Sequence, residues 1–301
     1  MGVTTPEWLG TATATPGALA DGARMDTVEL LVGDLDAMTA FYRDAVTLDV
    51  LDQSGPTATL GRHGLPIMVL RHSPDLPSRN ARGAGLYHTA VVFQDEARLA
   101  ASLASMAQRA AHLHEGSADH IVSEAFYFHD PEGNGLELYR DRPRAEWSYG
   151  ADGSVQMGSL PLDPNGFLQR WHDPDRSEVA GPPTAAIGHV HLQVGDVAAA
   201  RRFYVDALGF DITFDLGSAM FLSAGGYHHH IGVNTWQSAG AGPRAAALGL
   251  GDVRIALPSR NDVEALSDRL RFAGVDRRDD GRALRFADPW GTQIVAAADG
   301  S

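Results

Sequence analysis

The chain has 301 residues, 44% of them apolar, and carries 38 Asp plus Glu against 24 Lys plus Arg for a formal charge of −14. With no basic run anywhere, that balance argues against a nucleic-acid surface or an anionic membrane partner. The absence of cysteine excludes disulfides, thiolate ligands, iron–sulfur ligation and cysteine nucleophiles, so any bound metal must be held by His, Asp or Glu.

Length predicts two domains, each with enough apolar residues for its own core. No stretch approaches the ~18 apolar residues of a membrane span, and the N-terminus lacks the basic-then-apolar pattern of a secretory signal. A cytoplasmic protein is expected.

Residues 1–24 are rich in Thr, Ala, Gly and Pro without apolar period and are expected to form a flexible leader, with Trp8 as its one candidate contact. From Met25 onward the chain repeats itself. The segment Val28–Asp34, followed by Phe41, Tyr42, Asp44 and Ala45, returns 162 residues later as Val190–Asp196 with Phe203, Tyr204, Asp206 and Ala207. Each half divides again: Asp130, Pro131 and Gly133 ahead of Leu136–Leu138 are answered by Asp288, Pro289 and Gly291 ahead of Ile294 and Val295. Repeats are read before anything else.

Every copy opens on an alternating strand, continues as a helix and ends in short strands punctuated by Gly. This is an α+β chain of four β-α-β-β-β modules. In the third copy Ala200, Phe203, Tyr204 and Leu208 recur at helical spacing behind Asp196, a capping residue. Modules 1 and 2 are assigned to residues 25–143 and modules 3 and 4 to residues 185–298. The proline-rich stretch 144–184 is read as an ordered connector.

Strand alternation over Gly188–Asp196 sends His189, His191 and Gln193 to one face and Val190, Leu192 and Val194 to the other. His88 falls on the opening strand of module 2, and Glu137 lies on that module's last strand. Singly, each reads as an ordinary hydrogen-bonded or solvated side chain. The repeat register separates them from chance, because modules 1 and 4 carry Thr27 and Asp252 in place of the histidines and Val295 answers Glu137. Two neutral imidazoles and one carboxylate on one side of a metal suit a non-haem Fe(II) oxygenase with open positions better than a closed structural zinc.

This layout resembles the vicinal-oxygen-chelate superfamily, and within it the two-domain extradiol ring-cleaving dioxygenases of the catechol 2,3-dioxygenase kind, over nearly all of the chain from Met25. The segments Asp130–Tyr139 with Asp141–Pro143, Gly188–Asp196 and Gly225–Trp236 carry the likeness. The resemblance implies modules paired into two cup-shaped curved sheets, and a metal held by His88, Glu137 and His189. In the better-known extradiol enzymes all ligands lie in the C-terminal half. Here the set is complete only if modules 2 and 3 share a cup, leaving modules 1 and 4 as the ligand-free one.

It further implies Fe(II) as cofactor, with Mn(II) as the alternative, and a catecholic substrate cleaved with O2 to a muconic semialdehyde-type product by a homo-oligomeric enzyme. The triplet His228–His230, placed on a late strand of module 3, supplies the acid–base group, best matched by His229 with His230 as alternate. Histidine suits that task because it exchanges a proton near neutrality. Tyr127 matches the family's substrate-facing tyrosine, His191 shares the face of His189, and His120 lies near but not on the family's supporting histidine position. Two other readings share the fold: a metal-dependent isomerase or epimerase of the glyoxalase kind, which favours a fourth protein ligand, and a metal-free binder of small aromatics.

Overall fold

A computed structural model describes residues 17–151, 154–173 and 185–300. Trp8 and the end of the connector lie outside them. Module 1 comprises β1 (Arg24–Val32), α1 (Leu35–Ala40), β2 (Asp49–Ser54), β3 (Thr57–Arg62) and β4 (Leu65–His72). Module 2 comprises β5 (Gly85–Phe93), α2 (Glu96–Arg109), β6 (His114–Asp119), β7 (Ser123–His129) and β8 (Gly135–Asp141). The connector contributes β9 (Leu160–Pro161) and α3 (Pro164–Trp171). Module 3 comprises β10 (Ala185–Gln193), α4 (Val197–Ala200), β11 (Asp211–Asp215), β12 (Ala219–Ser223) and β13 (Ile231–Asn234). Module 4 comprises β14 (Gly249–Leu257), α5 (Arg260–Phe272), β15 (Arg277–Asp279), β16 (Ala283–Ala287) and β17 (Gln293–Ala298).

The strands form two curved, unclosed sheets. One has eight strands in the order β15-β16-β17-β14-β1-β4-β3-β2, all from modules 4 and 1. The other has nine, in the order β11-β12-β13-β10-β5-β8-β7-β6-β9. Modules 2 and 3 therefore share a sheet, to which the connector adds its edge strand through Ala118–Pro161 and Asp119–Leu160. The chain clusters into two compact units, one of residues 1–29, 77–87 and 188–301 and one of residues 30–76 and 88–187.

Module helices begin on side-chain caps: Asp34 accepts from Ala37 N–H, Asp95 from Arg98, Asp196 from Ala199 and Ser259 from Asp262. Each such bond satisfies an N–H that the first turn leaves without a carbonyl. Two helices then widen, with Val46 N–H reaching the Phe41 carbonyl and Leu208 N–H reaching Phe203. This i to i+5 turn lets Tyr42 and Tyr204 point at one fixed partner each.

Tyr42 donates to Asp130 at 2.9 Å and Tyr204 to Asp288 at 2.9 Å. Each aspartate also gathers backbone N–H groups of its own turn: Glu132 and Asn134 on Asp130, Trp290 and Thr292 on Asp288. Gly133 and Gly291 close these turns at φ of 81° and 83°, a conformation that glycine reaches without steric cost. The repeated Asp-Pro-x-Gly is thus a buried joint between two modules, present once in each half. Burial, and then the neighbouring carboxylate, push both tyrosine hydroxyls well above their ordinary range, so they remain donors. Burial raises Asp130 and Asp288 despite their hydrogen bonds.

Cores follow the expected periods. On α2, Leu99, Ala100, Leu103 and Met106 are buried; on α5, Val263, Leu266 and Leu270 are. In the connector Phe167 is fully buried and meets Phe126 edge-on at 5.0 Å. Of the leader, Leu19 is buried and its N–H donates to the Gly209 carbonyl.

Losing one buried hydroxyl leaves its aspartate under-satisfied, at a typical cost of about 1–3 kcal/mol. Tyr42→Phe and Tyr204→Phe should each lower urea-denaturation stability by that amount. Midpoints identical to wild type would show that the joints carry no stability.

Candidate metal centre

On β8, Glu137 pairs with Ala90 of the parallel strand β5 and with Tyr127 of the antiparallel strand β7. Paired residues of neighbouring strands project to the same face, and His88, two residues before Ala90, projects there as well. His88, Glu137 and Tyr127 are therefore delivered to one side of the sheet by register alone. His88 Nε2 lies 3.0 Å from Glu137 Oε2, and both are buried, Glu137 to 2% exposure. The His88 and Tyr127 rings are 5.7 Å apart.

His120 supports Tyr127. Its Nδ1 is 2.6 Å from the Gly158 carbonyl oxygen, which can only accept, so the neutral ring carries its proton there. Nε2 then accepts the Tyr127 hydroxyl proton at 2.6 Å. The register difference from the family's supporting histidine does not stop His120 from reaching the tyrosine.

On β10, His189, His191 and Gln193 are all buried. His191 Nε2 lies 3.0 Å from Asn234 Nδ2. Asn234 Oδ1 already accepts from Trp236 N–H, which fixes the amide as donor to His191. Gly232, paired with His191, makes room for that ring: a Cβ there would stand 2.9 Å from it. Tyr87 and Trp236 meet the His191 ring edge-on at 5.1 and 5.4 Å, so His191 is an embedded part of an aromatic wall. Asn234 and Gly232 lie within the quoted Gly225–Trp236 segment, yet side-chain type alone gave them no role.

The histidine triplet is not on a strand. β13 starts at Ile231, and His228–His230 occupy the turn before it. Gly225 and Gly226, at φ of 59° and 67°, begin that turn. Apolar alternation through Ile231 and Val233 starts one residue too late to enrol the histidines. In the turn, His229 comes closest to His189, with ring centroids 4.0 Å apart. Its Nδ1 is 2.8 Å from His228 Nδ1. His230 is turned otherwise, accepting Ala224 N–H at Nδ1 and packing on Tyr227.

His88, Glu137 and His189 form a buried group whose ligand atoms all lie within 4.8 Å of one another. Donors that each stand ~2–2.2 Å from one ion lie at most about 4.4 Å apart, so a separation near the 4.8 Å limit would close by a few tenths of an ångström on metal binding. Nitrogen and carboxylate donors of this kind suit Fe(II), Mn(II) and Zn(II) alike.

The family model described as Glyoxalase/Bleomycin resistance protein/Dioxygenase superfamily matches residues 24–138 and 186–295. The chain is 35% identical over 268 residues to a catechol-2,3-dioxygenase of Bacillus subtilis (strain 168), covering 87% of this chain and 92% of that protein. Among solved structures it is similar to glyoxalase I from Zea mays, with a TM-score of 0.56, 17% identity and coverage of 92% and 93%. It is likewise similar to the cppA protein from Streptococcus pneumoniae TIGR4, with a TM-score of 0.53, 10% identity and coverage of 91% and 97%. These two likenesses concern the fold alone. The family model covers both duplicated halves and the Bacillus relative spans nearly the whole chain: this protein belongs to the glyoxalase/bleomycin resistance protein/dioxygenase superfamily, in its two-domain, catechol-2,3-dioxygenase-like branch.

Proposed function

We propose that this chain is an extradiol dioxygenase that cleaves the ring of a catechol beside its hydroxyls, using O2 and an Fe(II) ion held by His88, Glu137 and His189. The observation that carries this reading is the buried two-histidine, one-carboxylate group, set beside a tyrosine and a histidine able to handle protons. The Bacillus relative named for the same reaction supports it. The metal, when bound, supplies open coordination positions and the electron transfer that catechol and O2 need.

The protein's own groups do the rest. Tyr127 gives its proton to His120, so toward a catechol hydroxyl its oxygen can act only as an acceptor. His229 shares one proton with His228 between their Nδ1 atoms. When that proton sits on His229, its Nε2 is a base able to take a catechol proton; when it sits on His228, a proton held at His229 Nε2 can be returned to the departing oxygen. His230, held by Ala224, is the weaker candidate. His191 fixes the aromatic wall with Tyr87 and Trp236, which suits a flat aromatic substrate.

A glyoxalase-like isomerase is the second reading, favoured by the proximity of His229 to His189, which makes it a candidate fourth ligand. Oxygen consumption separates the two.

Two outcomes follow. Glu137→Gln and His189→Ala should each lose iron and activity together in protein purified without oxygen, while circular dichroism stays native. Full iron occupancy with turnover in either variant would move the centre elsewhere. His229→Gln should keep iron but lower ring cleavage under air by roughly 100- to 10,000-fold, the usual range of acid–base contributions. Loss of iron in that variant would favour the isomerase reading, and an unchanged rate would end the role of His229.

A further inference from the structure

The segments that join module 1 to module 2 and module 3 to module 4 carry charge that the reaction above does not use. Residues 77–80 and 82–86 of the first and residues 241–248 and 250 of the second, with Gln193 at the end of β10, line a cavity of about 450 Å3. Leu248 N–H donates to the Pro77 carbonyl at 2.9 Å and ties the two segments together. The volume lies within the range typical of small-ligand sites.

Its charge is one-sided. Arg79, Arg82 and Arg244 line it and, among the described residues, no Asp or Glu does, in a chain of net charge −14 whose 24 Lys plus Arg residues are all arginine. Placement looks built rather than incidental. Asn80 accepts the Arg82 N–H and, through its own carbonyl, the Gly83 N–H, fixing the turn that carries Arg82. Gln193 donates to the Ala81 carbonyl and Arg79 to the Leu86 carbonyl.

Arg244 is half-buried and donates through Nη2 to the Leu250 carbonyl. Its Nη1 is shut off from solvent and meets no acceptor among the described residues. A desolvated guanidinium edge of this kind is costly, and a turn of the Arg244 side chain toward the cavity would let it meet carboxylate or phosphate oxygens, which guanidinium geometry matches. Burial lowers the Arg244 guanidinium from its ordinary value, a penalty that a bound anion would offset.

Gln193 lies four residues beyond His189 on β10, ~13 Å at the strand rise, and Leu86 two residues before His88 on β5, ~7 Å, so the lining borders the metal centre but contains none of its three residues. We infer that this cavity is a second binding site, taking a small organic anion whose carboxylate or phosphate oxygens are held by Arg79, Arg82 and Arg244. The inference does not depend on the metal centre or on the reaction proposed for it.

Calorimetry on the full-length, chelator-treated chain tests it, with succinate and inorganic phosphate as separate probes. Saturable binding of at least one probe is expected, weakening as salt is raised. The double substitution Arg79→Ala with Arg82→Ala should weaken it about 10- to 100-fold, the worth of one or more charge-assisted hydrogen bonds. Arg278→Ala, outside the lining, should leave it unchanged. Succinate alone would assign organic carboxylates and phosphate alone a phosphorylated ligand; binding of both would assign a site reading charge alone. No saturable heat with either probe up to ~10 mM, or equal affinity in wild type and the double variant with native circular dichroism in both, would overturn the proposal.

Discussion

A carboxylate taken almost entirely out of water sets the terms for the rest of this protein. Glu137 is 2% exposed, and an ionised group so placed is costly unless a positive charge and hydrogen-bond donors come with it. His88 Nε2 stands 3.0 Å from its Oε2. A divalent ion held by the nitrogen and the carboxylate oxygen would neutralise that charge. The parallel pairing of β5 with β8 puts the two groups in range without relying on a loop. Strand-borne ligands are more precisely held than loop-borne ones.

The duplicated architecture explains how such a site is kept stable. Each half contains the same joint, Tyr42 on Asp130 and Tyr204 on Asp288, although only modules 2 and 3 carry metal ligands. The joint sits on helices and turns, whereas the ligands sit on the polar faces of strands, so one varies without disturbing the other. Sequence changes around the joint show this tolerance. Glu132 of the first half accepts the N–H groups of Gly33 and Asp34. Trp290, its counterpart, instead donates to the Ala241 carbonyl, and Gly195, the counterpart of Gly33, makes room: a Cβ there would stand 2.8 Å from the indole nitrogen.

The repeats made most of the fold legible before any coordinates, because alternation and helical spacing are local and recur four times. Asp196 as helix cap and the five-element modules follow from patterns within ten or so residues, whereas the shared sheet of modules 2 and 3 is expected from the family resemblance together with ligands lying in both modules. The ligand triad was legible for a different reason: comparison of copies exposed His88, Glu137 and His189 as departures from Thr27, Val295 and Asp252. What escaped depends on distant packing. The Gly225 turn that removes His228–His230 from β13 fits against Asp21, whose carbonyl oxygen would lie 2.1 Å from a Cβ, and nothing near Gly225 in sequence announces that neighbour. His120 escaped in part because its partnership with Tyr127 rests on the Gly158 carbonyl fixing its tautomer. The arginines of the linkers are spread over more than 160 residues, and only folding gathers them.

Charge connects the two sites to the chain around them. On the proposed reaction, a surface of net charge −14 exerts little pull on the uncharged diphenol. The proposed ring opening would change that, because one oxygenated carbon would become a carboxylate, whose rebinding the acid-rich surface opposes. An anion that is to be retained needs a local inversion of that field. Three arginines in a lining of mostly small residues, with no Asp or Glu among its described residues, provide one. Low-dielectric walls focus such a potential instead of letting solvent screen it. The strands thus carry groups suited to a neutral aromatic and a metal, while the linkers carry groups suited to an anion, and the short span of β10 from His189 to Gln193 passes from one chemistry to the other.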